Sequence, residues 1–111
     1  MNPTAAGNKA EQAVADELIS LGYKILELNW RTKFAEIDIV ARKGDAIFFV
    51  EVKYRGTNIA GDGFDYITPV KLRHMQRAAE AWVLSNNWKD EYSLLAAAVS
   101  GDLSSIDIRE I

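Results

Sequence analysis

The sequence predicts an α/β domain in which a central mixed five-stranded sheet is flanked by helices. Two segments carry apolar residues at helical spacing, and five shorter segments read as strands, in the order helix, three strands, helix, two strands. Two of the strands are separated by a loop short enough for an antiparallel hairpin. The chain of 111 residues, 49% of them hydrophobic, suits one domain spanning residues 1–111.

The first helix is predicted over residues 8–21, and Gly22 supplies its C-terminal stop. A strand over residues 23–30 follows, because its apolar residues nearly alternate. The apolar stripe of the helix consists of Ala10, Ala13, Val14, Leu18 and Leu21.

Residues 36–42 and 46–54 predict the two strands of the hairpin. Gly44 is the residue best able to adopt the positive φ that a two-residue loop requires, so we place the loop at Gly44 and Asp45. The alternation of side chains then assigns Ile37, Ile39 and Ala41 to one face of the first strand.

This register places Asp38 opposite Glu51, and Glu36 opposite Lys53. Opposed like charges destabilise a sheet, but a divalent cation such as Mg²⁺ between the two carboxylates would stabilise them. Lys53 shares the face of Glu51 and can stabilise charge on a transition state, so a metal ion together with this lysine would form a site for phosphodiester hydrolysis. A solvated hairpin face with an ordinary Glu36–Lys53 salt bridge explains the same charges, and a longer loop would shift the register.

Residues 55–68 contain three glycines and no clean periodicity, which predicts a long loop, either functional or a plain surface excursion. The second helix begins with Thr68 as N-cap and Pro69 as first residue, and it ends near Asn86. Its apolar stripe consists of Leu72, Met75, Ala79, Trp82 and Val83. Two closing strands are predicted in "SLLAAAVS" and "SSIDIREI".

Composition excludes several function classes. The net charge is −3, so nucleic-acid binding would need a local basic patch. The absence of cysteine excludes disulfides, thiolate zinc sites and a cysteine nucleophile, and a single histidine, His74, makes a serine-histidine triad difficult. No apolar run is long enough to span a membrane, and the first twenty residues do not resemble a secretion signal, so we expect a cytoplasmic location.

Two further features point to the same chemistry. Glu11 lies at the edge of the apolar stripe of the first helix, where its carboxylate could reach the rim of the sheet or simply be solvated. The first turns of the second helix carry a basic cluster, which fits a phosphate backbone or a freely solvated face. The three tryptophans are expected in the core and at its edge, not as platforms for base stacking. The basic cluster consists of Lys71, Arg73, His74 and Arg77.

With these residues in place, the chain resembles the YraN-like family of uncharacterised bacterial proteins. It resembles, more distantly, the archaeal Holliday junction resolvases of the PD-(D/E)xK restriction-endonuclease-like superfamily. The resemblance runs from about Gly7 to Trp82. It is supported by Glu11 followed by Leu18 and Gly22, by "NWR" with Asn29 and Arg31, and by "EIDIVA", "FFVEVKYR" and "ITPVK", which ends in Lys71.

The resemblance implies a restriction-endonuclease-like (tRNA-endonuclease-like) core with its active site on the hairpin. It assigns Asp38 and Glu51 as metal ligands for Mg²⁺ or Mn²⁺, Lys53 as the catalytic lysine, and Glu11 as a further acidic group at the metal. Superfamily members commonly cut nucleic acid, and the resolvases act as dimers on branched DNA, which suggests DNA as partner and a homodimer. The residues expected to hold the nucleic-acid backbone are Arg31, Arg55, Lys71, Arg73 and Arg77.

Four positions depart from the family pattern without removing a metal ligand. Ile37 stands where a proline often precedes the first aspartate, and Ala35 replaces a usual glycine. Leu72 replaces a glutamine, and "LLAA" around Leu95 replaces an Arg-Phe-Asp-like strand start. These last two differences concern substrate contacts and the following strand more than the chemistry.

The sequence therefore leaves three hypotheses. The first is a metal-dependent endonuclease that hydrolyses phosphodiesters in DNA, including branched DNA. The second is a non-catalytic nucleic-acid-binding or assembly protein with the same fold, which the acidic pI near 5.1 favours. The third is a structural interaction domain that binds neither metal nor nucleic acid.

Overall fold

The computed structural model describes residues 5–55 and 63–111, and these residues form two helices and five strands. Every predicted helix and strand is present, with bounds that differ from the predictions by a few residues. The elements are α1 (Ala5–Ser20), β1 (Lys24–Arg31), β2 (Glu36–Lys43), β3 (Ala46–Tyr54), α2 (Pro69–Ser85), β4 (Glu91–Val99) and β5 (Ile106–Glu110).

The five strands form one sheet in the order β1-β2-β3-β4-β5. Neighbouring strands are antiparallel except β3 and β4, which are parallel and joined through α2. The predicted mixed sheet flanked by helices is confirmed. A parallel pair needs a long crossover connection, and α2 provides it.

The two helices cover opposite faces of the sheet, so the molecule has three layers with a core on each side of the strands. The first core joins α1 to the sheet through Ala10, Val14, Ala15, Leu18, Ile39, Ala41, Val50, Leu95, Ala97 and Val99. The second core joins α2 to the sheet through Ile37, Val40, Ile47, Phe49, Met75, Ala78, Ala79, Trp82 and Leu94.

The alanine-rich strand β4 lies between β3 and β5, and its residues from Leu94 to Val99 are all buried. A strand covered on both faces reads as a continuous apolar run and not as an alternation. The small side chains of β4 allow both helices to pack closely against this part of the sheet.

The first helix ends in a Schellman motif at the predicted glycine. Gly22 has φ +95°, the backbone N–H of Tyr23 donates to the carbonyl of Leu18 at 2.9 Å, and that of Gly22 donates to Ile19 at 3.0 Å. The prediction that Leu21 belongs to the buried stripe is wrong, because this side chain is 51% exposed. Leu21 lies after the last helical residue, so the backbone conformation of the Schellman motif, and not the helical periodicity, sets the direction of its side chain.

The predicted hairpin register is confirmed from the Lys43–Ala46 pair to the Ile39–Val50 pair, with Gly44 at φ +61°. The prediction that Ile37 shares a face with Ile39 is wrong. Ile37 packs in the second core, with α2, whereas Ile39 packs in the first. The alternation of side chains is therefore interrupted at Asp38.

The second helix begins as predicted. Thr68 is its N-cap, the Thr68 hydroxyl accepts from the backbone N–H of Lys71 at 3.1 Å, and Pro69 is the first helical residue. Asn86 is the C-cap. Neither helix formed by the described part of the chain is long and apolar enough to cross a membrane.

The tryptophans pack as predicted. Trp82 is 4% exposed, and its indole N–H donates to the Glu27 carboxylate, whereas Trp30 and Trp88 are partly buried at the edge of the second core. Of the predicted loop, residues 63–66 form turns, and residues 56–62 lie outside the described residues.

Candidate functional site

The candidate site lies where β2 separates from β3. The backbone pairing of the two strands stops at Ile39–Val50, one position before Asp38 and Glu51. Beyond that point the Oδ2 atom of Asp38 accepts a hydrogen bond from the backbone N–H of Val52 at 2.8 Å. A side-chain carboxylate thus replaces a backbone carbonyl as the acceptor for β3, and this holds Asp38 at the split between the strands.

Burial and the neighbouring acidic residues both act on Asp38. Burial, followed by the charge of Glu51, raises the pKa of Asp38 from 3.8 to about 7, while the bond from Val52 acts in the opposite direction. A carboxyl group whose pKa is raised this far by burial and by a neighbouring charge is typical of functional sites. The bond from Val52 places the Asp38 carboxylate against the backbone of β3 next to Glu51, although Asp38 and Glu51 are not a backbone pair.

On the other side of β2, Asn29 interrupts β1. Its neighbours Leu28 and Trp30 pair with Ile39 and Ile37, so Asn29 lies across from Asp38. Asn29 has φ +52°, a left-handed conformation that asparagine tolerates better than most residues. Both strands are thus irregular at the same level of the sheet.

Glu11 reaches this level from α1. Burial raises the pKa of Glu11, the charges of Glu36 and Glu51 raise it further, and the adjacent Asn29 side chain opposes this as a hydrogen-bond donor. The Oε1 atom of Glu11 is buried, and no described residue offers it a hydrogen bond. A buried carboxylate oxygen without a partner is rare in folded proteins and calls for an explanation such as an ion or a water.

Glu51 is tied to α2 by an ion pair. The Nζ atom of Lys71 lies 2.8 Å from Oε1 of Glu51, and the Glu51 side chain is only 18% exposed. The N-cap bond of Thr68 fixes the first turn of α2 and hence Lys71. Lys71, which the sequence assigned to the nucleic-acid backbone, therefore contacts a predicted metal ligand.

Lys53 follows Glu51 on the α2 face of β3, and its ammonium lies 6.0 Å from the ring centroid of Tyr66. The Tyr66 hydroxyl donates to the backbone carbonyl of Glu51 at 3.4 Å. Burial, then the charges of Glu51 and Asp38, raise the pKa of Tyr66 above its ordinary value. Sequence reasoning missed Tyr66, because a tyrosine in an irregular segment shows no pattern.

Small residues of β4 lie beside the two charged side chains of β3. Ala96 and Ala98 of β4 are the parallel partners of Glu51 and Lys53. A parallel partner projects to the same face of the sheet, so alanine at both positions leaves the two charged side chains uncovered by β4.

The predicted Glu36–Lys53 pair does not form. Glu36 is instead the backbone partner of Arg31 on β1, and the two side chains form an exposed ion pair of 3.4 Å. The hairpin register no longer applies at this position, because β2 has already separated from β3.

The remaining predicted cations divide into two groups. Lys71 and Arg77 line a groove of about 340 Å³ together with Glu51, whereas Arg73 is exposed on α2 outside that lining. Arg55 follows β3, its guanidinium lies against Gly63, and its backbone N–H donates to the Val99 carbonyl at 2.9 Å. The groove is lined by Phe34, Ala35, Glu36, Glu51, Lys71, His74, Met75 and Arg77.

Comparison with known proteins places this site in a family. Residues 10–108 match the model of a family described as "Uncharacterised protein family UPF0102". The chain belongs to this family. The predicted resemblance to the YraN-like family is thereby confirmed, since the two names describe the same family.

Individual UPF0102 proteins align with most of the chain. A Fusobacterium nucleatum member is 39% identical over 90 residues, which cover 81% of this chain and 76% of that protein. A Caldicellulosiruptor saccharolyticus member is 42% identical over 83 residues, covering 75% and 70%. A Cytophaga hutchinsonii member is 32% identical over 105 residues, covering 95% and 93%.

The donor set of this UPF0102 protein fits an oxygen-ligated cation in part. Asp38 and Glu51 supply two neighbouring carboxylates, and Mg²⁺ is commonly held by one or two carboxylates with waters completing its octahedron. Within residues 5–55 and 63–111, no three aspartate, glutamate, histidine or cysteine side chains converge to hold a metal together. Glu11 is thus an acidic neighbour of the pair and not a third member of one cluster.

Proposed function

We propose that this UPF0102 protein is a metal-dependent endonuclease that hydrolyses phosphodiester bonds in nucleic acid, with DNA, including branched DNA, as its substrate. The observation that supports the proposal most strongly is the meeting of Asp38 and Glu51 at the split between β2 and β3, with Lys53 two residues further along the same strand face. Two carboxylates held together against their own repulsion are best explained by a cation between them.

Asp38 and Glu51 would hold the ion, Mg²⁺ or Mn²⁺, and Glu11 would add negative charge from α1. When bound, such an ion supplies Lewis-acid stabilisation of phosphoryl oxygens and lowers the pKa of bound water. Binding requires Asp38 to lose its proton, so the pKa of about 7 makes metal affinity depend on pH between 6 and 8. Glu11, whose Oε1 atom has no hydrogen-bond partner among the described residues, is an acidic neighbour of this pair.

Two lysines would perform the remaining tasks. Lys53 presents an ammonium beside Glu51, where it can orient a water and stabilise negative charge on the transition state. Lys71 balances the charge of Glu51 at 2.8 Å and also lines the groove, so its ammonium can exchange a carboxylate for a substrate phosphate. Arg77 lines the same groove, and Arg31 lies at its Glu36 side.

The order of elements agrees with a restriction-endonuclease-like core. A helix precedes three antiparallel strands, and a crossover helix then leads to a parallel fourth strand. In such a core the site would lie on the central hairpin, where Asp38 and Glu51 lie here. The resolvases that the chain resembles act as dimers, so the active form under this proposal is a homodimer.

A non-catalytic nucleic-acid-binding or assembly protein is the second candidate. The Lys71–Glu51 ion pair favours this alternative, because a lysine of the protein itself already balances the charge of one of the two proposed metal ligands. The net charge of −3 also gives weak long-range attraction to DNA. Under this alternative the basic residues of α2 bind a backbone, and no bond is cut.

The deciding experiment is cleavage of end-labelled four-way-junction, flap, duplex and single-stranded DNA with Mg²⁺ or Mn²⁺. Wild-type protein is compared with Glu51→Gln and Lys53→Ala, and with the control variants Glu80→Gln and Lys89→Ala, whose side chains are exposed away from the site. We expect losses of at least about 100-fold for the two site variants and little change for the controls.

Circular dichroism verifies that each variant is folded, and light scattering gives the oligomeric state. Metal-dependent cuts that persist undiminished in Glu51→Gln would refute the proposed site. Salt-dependent binding without product, equal in wild type and Glu51→Gln, would favour the non-catalytic alternative. Absence of both metal binding and nucleic-acid binding would favour a structural interaction domain.

A further inference from the structure

The loop between β1 and β2 exposes an aromatic ring. Phe34 is 89% exposed, more than any other large hydrophobic residue in the described part of the chain, where Leu84 follows at 82%. Burial of a phenylalanine side chain stabilises a fold by on the order of 2 kcal/mol, and an exposed phenylalanine does not contribute this stabilisation. An exposed single ring is unremarkable alone, so its setting decides what it can do.

The loop holds this ring in a fixed place. The hydroxyl of Thr32 accepts from the backbone N–H of Phe34 at 3.2 Å and from that of Ala35 at 3.0 Å. The backbone N–H of Thr32 donates to the carbonyl of Ala35 at 2.8 Å. Phe34 therefore projects from a hydrogen-bonded turn, and binding to its ring costs little loop ordering.

The ring lies at a groove that joins it to the candidate site. Phe34 and Glu51 line the same groove of about 340 Å³, whose α2 wall carries Lys71, His74 and Arg77. Next to the ring, the ammonium of Lys33 lies 5.7 Å from the ring centroid. An aromatic ring beside cations is the combination with which proteins bind single strands, since bases stack on the ring and phosphates meet the cations.

The size of the groove limits what can enter. A volume of about 340 Å³ is near the lower end of the roughly 300–1,000 Å³ of small-ligand pockets, so the groove accommodates one nucleotide-sized group and not a double helix. The bases of an intact duplex are stacked on one another and offer no free face to Phe34. An unpaired base offers one.

We propose that Phe34 stacks on an unpaired base of a DNA strand whose phosphate lies in the groove beside Lys71 and Arg77. This inference rests on the proposed function and deepens it, because it names the substrate class. The substrate is DNA with unpaired nucleotides, such as a flap, a bulge or an open branch point. Phe34 is a binding residue that selects this substrate, and Lys71 and Arg77 hold its backbone.

The test is equilibrium binding, measured in EDTA so that no cutting occurs. One probe is a plain fluorescein-labelled duplex, and the other is the same duplex with a flap that contains the fluorescent base 2-aminopurine. Wild type is compared with Phe34→Ala, with Phe34→Trp, which keeps a stacking ring, and with Leu84→Ala, which removes an equally exposed side chain far from the groove.

We expect Phe34→Ala to weaken flap binding by about 5-fold to 100-fold, the loss typical for one stacked base, and to change duplex binding by less than about two-fold. The 2-aminopurine fluorescence should be quenched by wild type and Phe34→Trp and not by Phe34→Ala. Leu84→Ala should behave as wild type. Because Phe34 is exposed, its replacement leaves the core intact, which a thermal melt verifies.

The outcomes separate this inference from the proposed function. Equal flap binding by wild type and Phe34→Ala, or no DNA binding by wild type, would overturn the stacking inference. If metal-dependent cleavage still requires Glu51 in that case, the proposed function stands alone. If flap binding depends on Phe34 and no substrate is cut, the inference stands and the nuclease proposal fails.

Discussion

Replacing Asp38 by asparagine should stabilise the metal-free protein at alkaline pH. The pKa of Asp38 is raised from 3.8 to about 7, chiefly by burial and next by the charge of Glu51. Asparagine keeps an oxygen that can accept the 2.8 Å bond from the N–H of Val52 and removes the charge. The native fold thus tolerates the neutral side chain better than the ionised one.

The size of the expected stabilisation follows from the pKa shift of Asp38. A displacement from 3.8 to about 7 corresponds, at 1.36 kcal/mol for each unit, to on the order of 4 kcal/mol. Because the folded-state pKa is the higher one, the native protein binds more protons than the unfolded chain between these two values. The free energy of unfolding of wild type should therefore fall as pH rises from about 4 to 7 and then level off. Asp38→Asn should gain up to that amount at pH 8 and nearly nothing at pH 4.

The assay is urea unfolding in EDTA, followed by tryptophan fluorescence at several pH values between 4 and 8. Asp45→Asn, in the exposed loop of the same hairpin, serves as control and should parallel wild type. Comparing variants at each pH cancels the titration of groups that do not interact with Asp38. Parallel curves for wild type and Asp38→Asn across the whole range, or a variant that is less stable at pH 8, would refute the reasoning about this carboxyl group.

Three further predictions test the elements that position the site. Gly22→Ala should lower the free energy of unfolding, measured by urea titration, by about 1 kcal/mol. The reason is backbone strain, because the φ of Gly22 is +95°, and not a steric clash, because the added Cβ would meet nothing closer than 3.6 Å. Thr68→Ala should lower the free energy of unfolding by about 1 kcal/mol, because it removes the N-cap of α2. Thr68→Ser keeps a hydroxyl and should retain most of that stability in the same assay. Ala98→Leu should lower the free energy of unfolding by about 1–3 kcal/mol, because the larger side chain would be overpacked against Gly63. Near-ultraviolet circular dichroism should detect the displacement of Tyr66.

Much of the fold follows from local sequence rules. The apolar periodicities predict both helices and all five strands, and Thr68 with Pro69 predicts the start of α2. The two-residue loop at Gly44 fixes the hairpin register as far as Ile39–Val50. These features depend on residues that are neighbours in sequence, so a single sequence is enough to predict them.

The errors have a different origin. Ile37 and Ile39 lie on opposite faces at the position where the Asp38 carboxylate bonds to the backbone of β3, whereas strand alternation assumes that only backbone groups make such bonds. Lys71 contacts Glu51, and Tyr66 lies over Lys53, because the crossover to β4 brings α2 and the segment before it against β3. Such contacts depend on tertiary packing, which periodicity does not describe. The predicted metal ligands stay predictions, because only the proximity of Asp38 and Glu51 is visible.

The distribution of these exceptions is itself an argument for function. Four departures from ordinary sheet chemistry occur at one level of the structure: the left-handed Asn29, the broken alternation at Ile37, the near-neutral Asp38 and the buried, unpartnered oxygen of Glu11. The hairpin loop, the C-terminus of α1 and the N-terminus of α2, by contrast, obey the local rules. A sheet selected for stability alone gains nothing from these four departures at one level, whereas natural proteins violate such rules at functional sites. Two of the four involve carboxyl groups, those of Asp38 and Glu11, whose oxygens are acceptors near the split between β2 and β3. A site that binds a cation needs oxygen acceptors that lie close together, whereas the fold itself does not require them.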